Sequence, residues 1–387
     1  MRIAIITESF PPDVNGVAHS VVRVAEHLVR RGHSPIVIAP EPASAARGVT
    51  GPLPYDVVRV PSLPMPGYRS FRLGMPSPRL TRALVSHATD LIHLASPFVL
   101  GARGVAVAGQ LGLPSVAVYQ TDMPGYARAY RAGFGEAFTW RWLRTIHNGA
   151  DRTLAPSTAT AAAIVSRGIQ RVWLWGRGVD TVRFDPGKRH DRLRDLLAPG
   201  GELIVGYVGR LAVEKRVDLL APVCRLPGVR LVVIGDGPER RALQRALPGA
   251  LFLGERHGEQ LARLYASLDV FVHTGPYETF GQTVQEALAS GLPVVAPAAG
   301  GPLDLVVPGR TGILVPPNEP DGFADAVRML AASEPMRRAF GEAARASVAR
   351  RTWAAVGDEL IDHYRAVLTG RSAGTGHRLR PEPVVAA

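Results

Sequence analysis

The chain has 387 residues, too long for one ordinary hydrophobic core and suited to two domains with a cleft between them. Apolar residues make up 46% and charged residues 20%, and no run approaches the roughly 18 apolar residues of a membrane span, so the composition is that of a soluble globular protein. The single cysteine, Cys224, excludes an internal disulfide and a multi-cysteine metal site, while the net charge of +12 points to anionic partners.

Ile3 to Ile6 form a short β-branched run, read here as a buried strand and not as a secretion signal, which makes the cytoplasm the expected compartment. Val17, Val21, Val24 and Leu28 then line one face of a helix that Gly32 stops, and Ile36 to Ile38 give a second strand. Further strands fit residues 56–60, 91–94, 115–119 and 171–174. The rhythm breaks at WLWGRGVDTVRFDPGKRH, residues 173–190, and restarts at Leu203. Strands then fit 203–208, 230–234, 251–253, 269–272, 293–296 and 312–315, with helices near 238–247, 258–267, 281–290 and 321–332. Such alternation predicts an α/β protein of two doubly wound parallel sheets, with ligands held beyond the carboxyl ends of their strands. The expected domains are 1–182 and 183–352, with a helix at about 353–369 packing back on the first and a disordered tail over 370–387.

Several chemistries are disfavoured. No G-x-G-x-x-G follows either first strand; in Gly235-Asp236-Gly237 the third glycine position is Arg240, which argues against a dinucleotide cofactor. No D-x-D occurs, and the 11 histidines show no metal-ligand spacing with a third partner, so neither metal nor cofactor is expected. Arginines are spread along the chain without a nucleic-acid motif, so nucleic acid is not an expected partner.

Of the 45 basic residues only Lys188 and Lys215 are lysine. Lys215 closes GRLAVEK, residues 209–215, directly after the first strand of the second half, and shares that loop with Arg210. Two cations at the start of a following helix oppose its dipole unless an anion accompanies them, and a diphosphate would. By charge alone, a surface pair of Glu214 and Lys215 is the better reading. Residues 273–291, HTGPYETFGQTVQEALASG, tip the balance: Glu278 lies in a loop, and Phe280 and Gly281 lead into a helix whose amides over 280–283, with Gln282 and Thr283, face the cleft. Glu286 stands about one turn in. Glu278 and Glu286 also suit the paired carboxylates of a glycoside hydrolase, but that leaves Arg210 and Lys215 without a task. A non-catalytic nucleotide-binding module is a third reading.

GRLAVEK, the E-x7-E run from Glu278 to Glu286 with EALASGLPVVAPAAGG, the Asn15-Gly16-Val17 loop and RGVDTVRFDP together resemble the retaining glycosyltransferases of family 4, which have GT-B architecture. The match spans residues 1 to about 368. TESFPPDVNGV, YQTDMPGYARAY and WGRGVD are most similar to actinobacterial GDP-mannose-dependent α-mannosyltransferases acting on glycolipids and inositol lipids.

The resemblance implies two Rossmann-like domains facing across a deep cleft and a nucleotide-sugar donor, GDP-mannose, or alternatively a UDP-sugar. Arg210, Lys215 and Glu278 would be the catalytic set, with the two cations on the donor diphosphate and Glu278 on the transferred sugar near its 3-hydroxyl. Phe280 and Gly281 amides would assist, Glu286 would take the ribose, Gly16 and Gly209 would allow close backbone approach, and Gly254 with Glu255 would lie near the base. A lipid-linked or polyol acceptor would meet Asn15, Gln120, Asp122 and Arg177. Many relatives have histidine where Gln120 stands, so a histidine-based role is in doubt there, and Asp122 reads either as an orienting acceptor or as a helix cap. Residues 126–144 interleave six aromatic residues, among them Tyr126, Phe138 and Trp142, with arginines; they suit either an anionic membrane interface or core packing.

Overall fold

The computed structural model describes residues 1–13, 15–42, 52–65, 68–120 and 135–373. The first half contributes strands β1 (Arg2–Ile6), β2 (Ser34–Pro40), β3 (Asp56–Val60), β4 (Ser62–Met65), β5 (Tyr68–Gly74), β6 (Leu91–Leu94), β7 (Ser115–Val118), β8 (Arg152–Ala155) and β9 (Val172–Leu174). The second contributes β10 (Leu203–Val208), β11 (Val229–Ile234), β12 (Leu251–Gly254), β13 (Val270–Val272), β14 (Val294–Pro297) and β15 (Gly312–Val315). They form a sheet ordered β3-β2-β1-β6-β7-β8-β9, a sheet ordered β12-β11-β10-β13-β14-β15, and a separate β4-β5 ribbon. The strand pairings described for the two large sheets are parallel, whereas the ribbon is antiparallel.

The strands are apolar on both faces because helices cover both. In β1, Ile3 and Ile5 pack with Val21, Val24 and Leu28 of the helix Gly16–Arg30, while Ala4 and Ile6 pack with Leu80, Leu84 and Val107 on the other side. In β10, Ile204 and Val208 join Val284 and Leu288, whereas Val205 and Tyr207 join Leu220, Phe323 and Val327. The strand order reverses between β1 and β6 and again between β10 and β13, which opens a crevice at the carboxyl end of each pair. These are the two doubly wound domains that the alternation predicts.

The backbone crosses between the domains at residues 175–179 and returns at 351–353, and the two crossings lie side by side. Val179 donates its amide to the Arg351 carbonyl at 2.9 Å, and Val179 bridges Thr352 in parallel. The final helix, Trp353–Ala373, puts Val356, Leu360, Ile361, Tyr364 and Val367 into the core under β1. The Tyr364 hydroxyl meets His93 Nδ1 at 2.7 Å. That helix covers residues 370–373 of the segment expected to be a disordered tail; residues 374–387 lie outside the described residues.

Absent from the sequence reading are β8, the β4-β5 ribbon and the helices Asp191–Leu197, Pro302–Leu305 and Glu334–Val348. Among the described residues no helix is long and apolar enough to cross a membrane.

Candidate active site

The loops after β10 and β13 flank the switch point of the second sheet and supply most of its charge. Gly209 follows β10 with φ +157°, its amide bound to the Ile234 carbonyl at 3.0 Å, and a Cβ there would stand 2.9 Å from the Tyr207 hydroxyl. No α-helix starts directly after this loop: Val213–Lys215 is a single 3-10 turn. Arg210 and Lys215 therefore oppose no helix dipole, since one turn has none of consequence. The alternative reading of Glu214 and Lys215 as a surface pair is excluded. Glu214 is buried and pairs with Arg210, whose side chain is 41% exposed, while Lys215 turns inward to pair with Glu278.

Lys215 is held in place from both ends. Its carbonyl accepts the Thr274 hydroxyl at 2.6 Å, and its ammonium donates to Glu278 Oε1. Burial raises the affinity of Glu278 for a proton, but the charges of Lys215, His273 and Arg177 outweigh it and hold the carboxyl at about 2. His273 Nε2 lies 4.0 Å from the same carboxylate oxygen and donates to the Gly275 carbonyl at 3.2 Å. Burial lowers the His273 imidazole to about 4, so it is neutral at physiological pH.

The Glu278 backbone rests on a glycine pair. Gly301 donates its amide to the Glu278 carbonyl at 2.8 Å; a Cβ on Gly300, at φ +61°, would meet that carbonyl oxygen at 2.4 Å, and one on Gly301 would meet the Phe280 carbonyl at 2.0 Å. Phe280 is buried, and Gly281, at φ +94°, caps the helix Gln282–Ala289. Gln282 donates to the Gly178 carbonyl at 3.2 Å, and the Thr283 carbonyl accepts from Tyr265 at 3.3 Å. Glu286 accepts from the Tyr265 hydroxyl at 3.2 Å, and burial raises its carboxyl to about 7. Gly254 and Glu255 lie at the end of the edge strand β12, with Gly254 accepting from Gly235 at 2.9 Å and Glu255 63% exposed.

On the opposite domain, Asn15 caps the helix Gly16–Arg30, accepting from Val17 and Ala18 at 3.0 Å each. Arg177, buried in the crossing segment, donates to the Gly16 carbonyl at 2.9 Å and to Gln120 Oε1 at 2.8 Å. Gln120 donates in turn to the Ala95 carbonyl at 2.8 Å. Both ends of its amide are thus engaged within the protein, which makes Gln120 a brace for Arg177 in this conformation. Burial lowers Arg177 to about 10 against the favourable charge of Glu278, so it remains a cation. Arg177 therefore links the two crevices electrostatically.

Asp122 and residues 126–134 lie outside the described residues. In the remainder of that aromatic segment, Trp140 is buried, while Phe138 is 68% exposed and stacked on Trp142 with centroids 6.4 Å apart. The core-packing reading therefore holds for Trp140. His273, Tyr207 and Glu8 went unnoticed in the sequence. The first is the residue after β13 and the last follows β1, so their positions at strand ends were the available signal.

Two Rossmann-like domains whose switch points meet at a common cleft define the GT-B class of transferases. Residues 14–183 match the family described as Glycosyltransferase Family 4, and residues 189–347 match Glycosyl transferases group 1. The chain is 51% identical over 373 residues to a GDP-mannose-dependent alpha-mannosyltransferase of Mycobacterium tuberculosis, covering 95% of this chain and 97% of that one. It is 43% identical to a protein of the same description from Corynebacterium glutamicum, with 95% and 89% covered. In fold it is similar to the Anabaena protein HepE solved with UDP, at a TM-score of 0.76 and 20% identity over 95% of this chain and 100% of that one. This chain belongs to glycosyltransferase family 4 and is a GT-B enzyme.

Proposed function

We propose that this enzyme transfers mannose from GDP-mannose to a hydroxyl of a glycolipid or polyol acceptor, with retention at the anomeric carbon and without a metal ion. The 51% identity to the mycobacterial GDP-mannose-dependent enzyme, over nearly the full length of both chains, carries the choice of donor.

The charge arrangement supports the chemistry. Arg210 and Lys215 take the donor diphosphate and stabilise the charge that grows on it as the glycosidic C–O bond breaks. Lys215 must then be shared between phosphate and Glu278. Glu278 stays ionised throughout the physiological range and accepts hydrogen bonds from the sugar, near its 3-hydroxyl. Phe280 and Gly281 amides assist, Glu286 takes the ribose, and Gly16 approaches the ligand from the opposite domain. The acceptor oxygen attacks C1 from the face that the phosphate leaves; its proton passes to the departing phosphate oxygen, giving GDP and an α-mannoside. No protein base is required, which fits a neutral His273 and a Gln120 that cannot titrate.

Arg210 and Lys215 supply the positive charge that a divalent ion would otherwise bring. The exposed Phe138 beside Trp142, on a chain of net charge +12, favours attachment to an anionic membrane surface on the cytoplasmic side.

A thermal-shift panel of GDP, UDP, ADP and TDP with EDTA present tests the donor. GDP alone is expected to raise the midpoint by several degrees, because a ligand that binds only the folded state stabilises it. A shift with UDP alone reassigns the base, and no shift with any of the four removes the donor site.

A further inference from the structure

The loop that carries Glu278 is held from the opposite domain. Thr279, its neighbour, offers a backbone carbonyl that accepts from Ser157 Oγ at 2.8 Å and from Thr160 Oγ1 at 3.0 Å. Ser157 and Thr160 are both buried at the start of the helix Thr158–Ser166 on the first domain. The Thr279 hydroxyl donates back to the Gln120 carbonyl at 3.3 Å. A second contact lies alongside: the Thr158 amide donates to Asp304 Oδ2 at 2.7 Å, and its hydroxyl bonds the other carboxylate oxygen. Asp304 stands three residues after Gly301, whose amide donates to the Glu278 carbonyl. The peptide between Glu278 and Phe280 is therefore gripped on one side by its own domain and on the other by hydroxyls of its neighbour.

We propose that Ser157 and Thr160 are positioning residues, and that their grip on the Thr279 carbonyl brings the Glu278 carboxylate into register only when the two domains are closed on each other. The inference rests on the role given to Glu278 above. A buried carbonyl without its donors is left with its desolvation penalty uncompensated, which lets a short loop move. Opening the cleft removes both hydroxyls together, so sugar alignment and domain closure become one event. The diphosphate contacts of Arg210 and Lys215 come from the second domain alone, and Lys215 keeps its backbone anchor at Thr274 when Glu278 moves.

Two double variants separate positioning from general damage. Ser157→Ala with Thr160→Val removes both hydroxyls; Ser157→Ala with Thr160→Ser lacks the same helix cap but keeps one donor. GDP-mannose affinity is measured by calorimetry, and turnover by GDP release, with actinobacterial polar lipid dispersed in detergent and without it. The first variant is expected to lose tenfold or more in kcat with donor Kd within threefold of wild type, and the second to recover most of that loss. Turnover of the first variant within twofold of wild type, or a loss of donor affinity equal to its loss of turnover, or no recovery in the second, overturns the proposal. Wild-type protein that binds no GDP-mannose overturns the donor assignment first, and the coupling with it.

Discussion

Lys215 and Glu278 stand 63 positions apart in the sequence, yet their side chains form an ion pair across the point where the second sheet reverses its strand order. Each is only 19% exposed, so water screens the pair weakly. Lys215→Ala leaves a buried carboxylate without its main partner, which is expected to cost about 3 kcal/mol of stability and to lower kcat by a factor of ~100 or more through lost charge stabilisation. Arg210→Ala is expected to reduce turnover on the same order and, because it takes the ion-pair partner from buried Glu214, to lower the melting temperature as well. Steady-state kinetics and calorimetric melting of both variants check this; near-normal turnover in both removes the diphosphate assignment.

Glu286 provides a pH signature. Its carboxyl titrates at about 7 in the folded protein, so it is mostly protonated at pH 6 and mostly ionised at pH 8. A carboxylate that accepts from ribose hydroxyls binds them better when charged. GDP-mannose affinity is expected to rise by up to about tenfold from pH 6 to pH 8, since the sugar diphosphate itself has no proton to lose in that range. Glu286→Gln should flatten the profile. Calorimetric titrations at pH 6, 7 and 8 decide it, and a flat wild-type profile excludes the ribose role.

Glu8 provides a second pH signature, read in stability. It is almost fully buried, with Oε1 accepting the Leu100 amide at 2.5 Å and Oε2 left without a hydrogen-bond partner. Burial raises its carboxyl from 4.5 to about 8. Below pH 4.5 both folded and unfolded chains hold this proton; between 4.5 and about 8 only the folded chain does, so its contribution to stability falls as pH rises through that window. The loss by pH 8.5 is expected to be on the order of a few kcal/mol. Urea unfolding at pH 5 and 8.5 should show a smaller difference in Glu8→Gln than in wild type. Equal differences in the two proteins rule out this titration.

The glycine pair behind Glu278 leaves no room for a side chain. Gly301→Ala sets a methyl against the Phe280 carbonyl and is expected to cost roughly 3 kcal/mol or more, because backbone must move to relieve it. Loss of GDP-mannose turnover should accompany the drop in melting temperature. Wild-type activity in this variant would show that the loop tolerates displacement.

Much of the fold is legible in the chain because parallel strands covered on both faces read as continuous apolar runs, as in RIAII and LIVGYV. Strand β8, RTLA, escapes that test: it has four residues, and only Leu154 is a large aliphatic. The ribbon strand SLPM carries a proline and an exposed Leu63, so it lacks the alternation of a half-buried strand. At the site, residue types alone mark Lys215, Glu278 and Glu286 as chemically interesting. Their partners are set by distances along the chain that no local pattern encodes. Lys215 pairs with Glu278 and not with adjacent Glu214, and Gln120 is committed to Arg177, 57 positions away. Ser157 caps a helix within its own domain, but its reach to Thr279 depends on two domains meeting.

The paired crossings at 175–179 and 351–353 mean that the last helix is a structural wall of the first domain. Trp175 donates its indole N–H to the Val356 carbonyl at 2.9 Å, and Tyr364 is fully buried beneath β1. Sequence order and physical membership therefore part company. A fragment ending at residue 352 would present bare aliphatic surface where Leu360 and Ile361 now sit, and the damage would fall on the domain farthest from the cut.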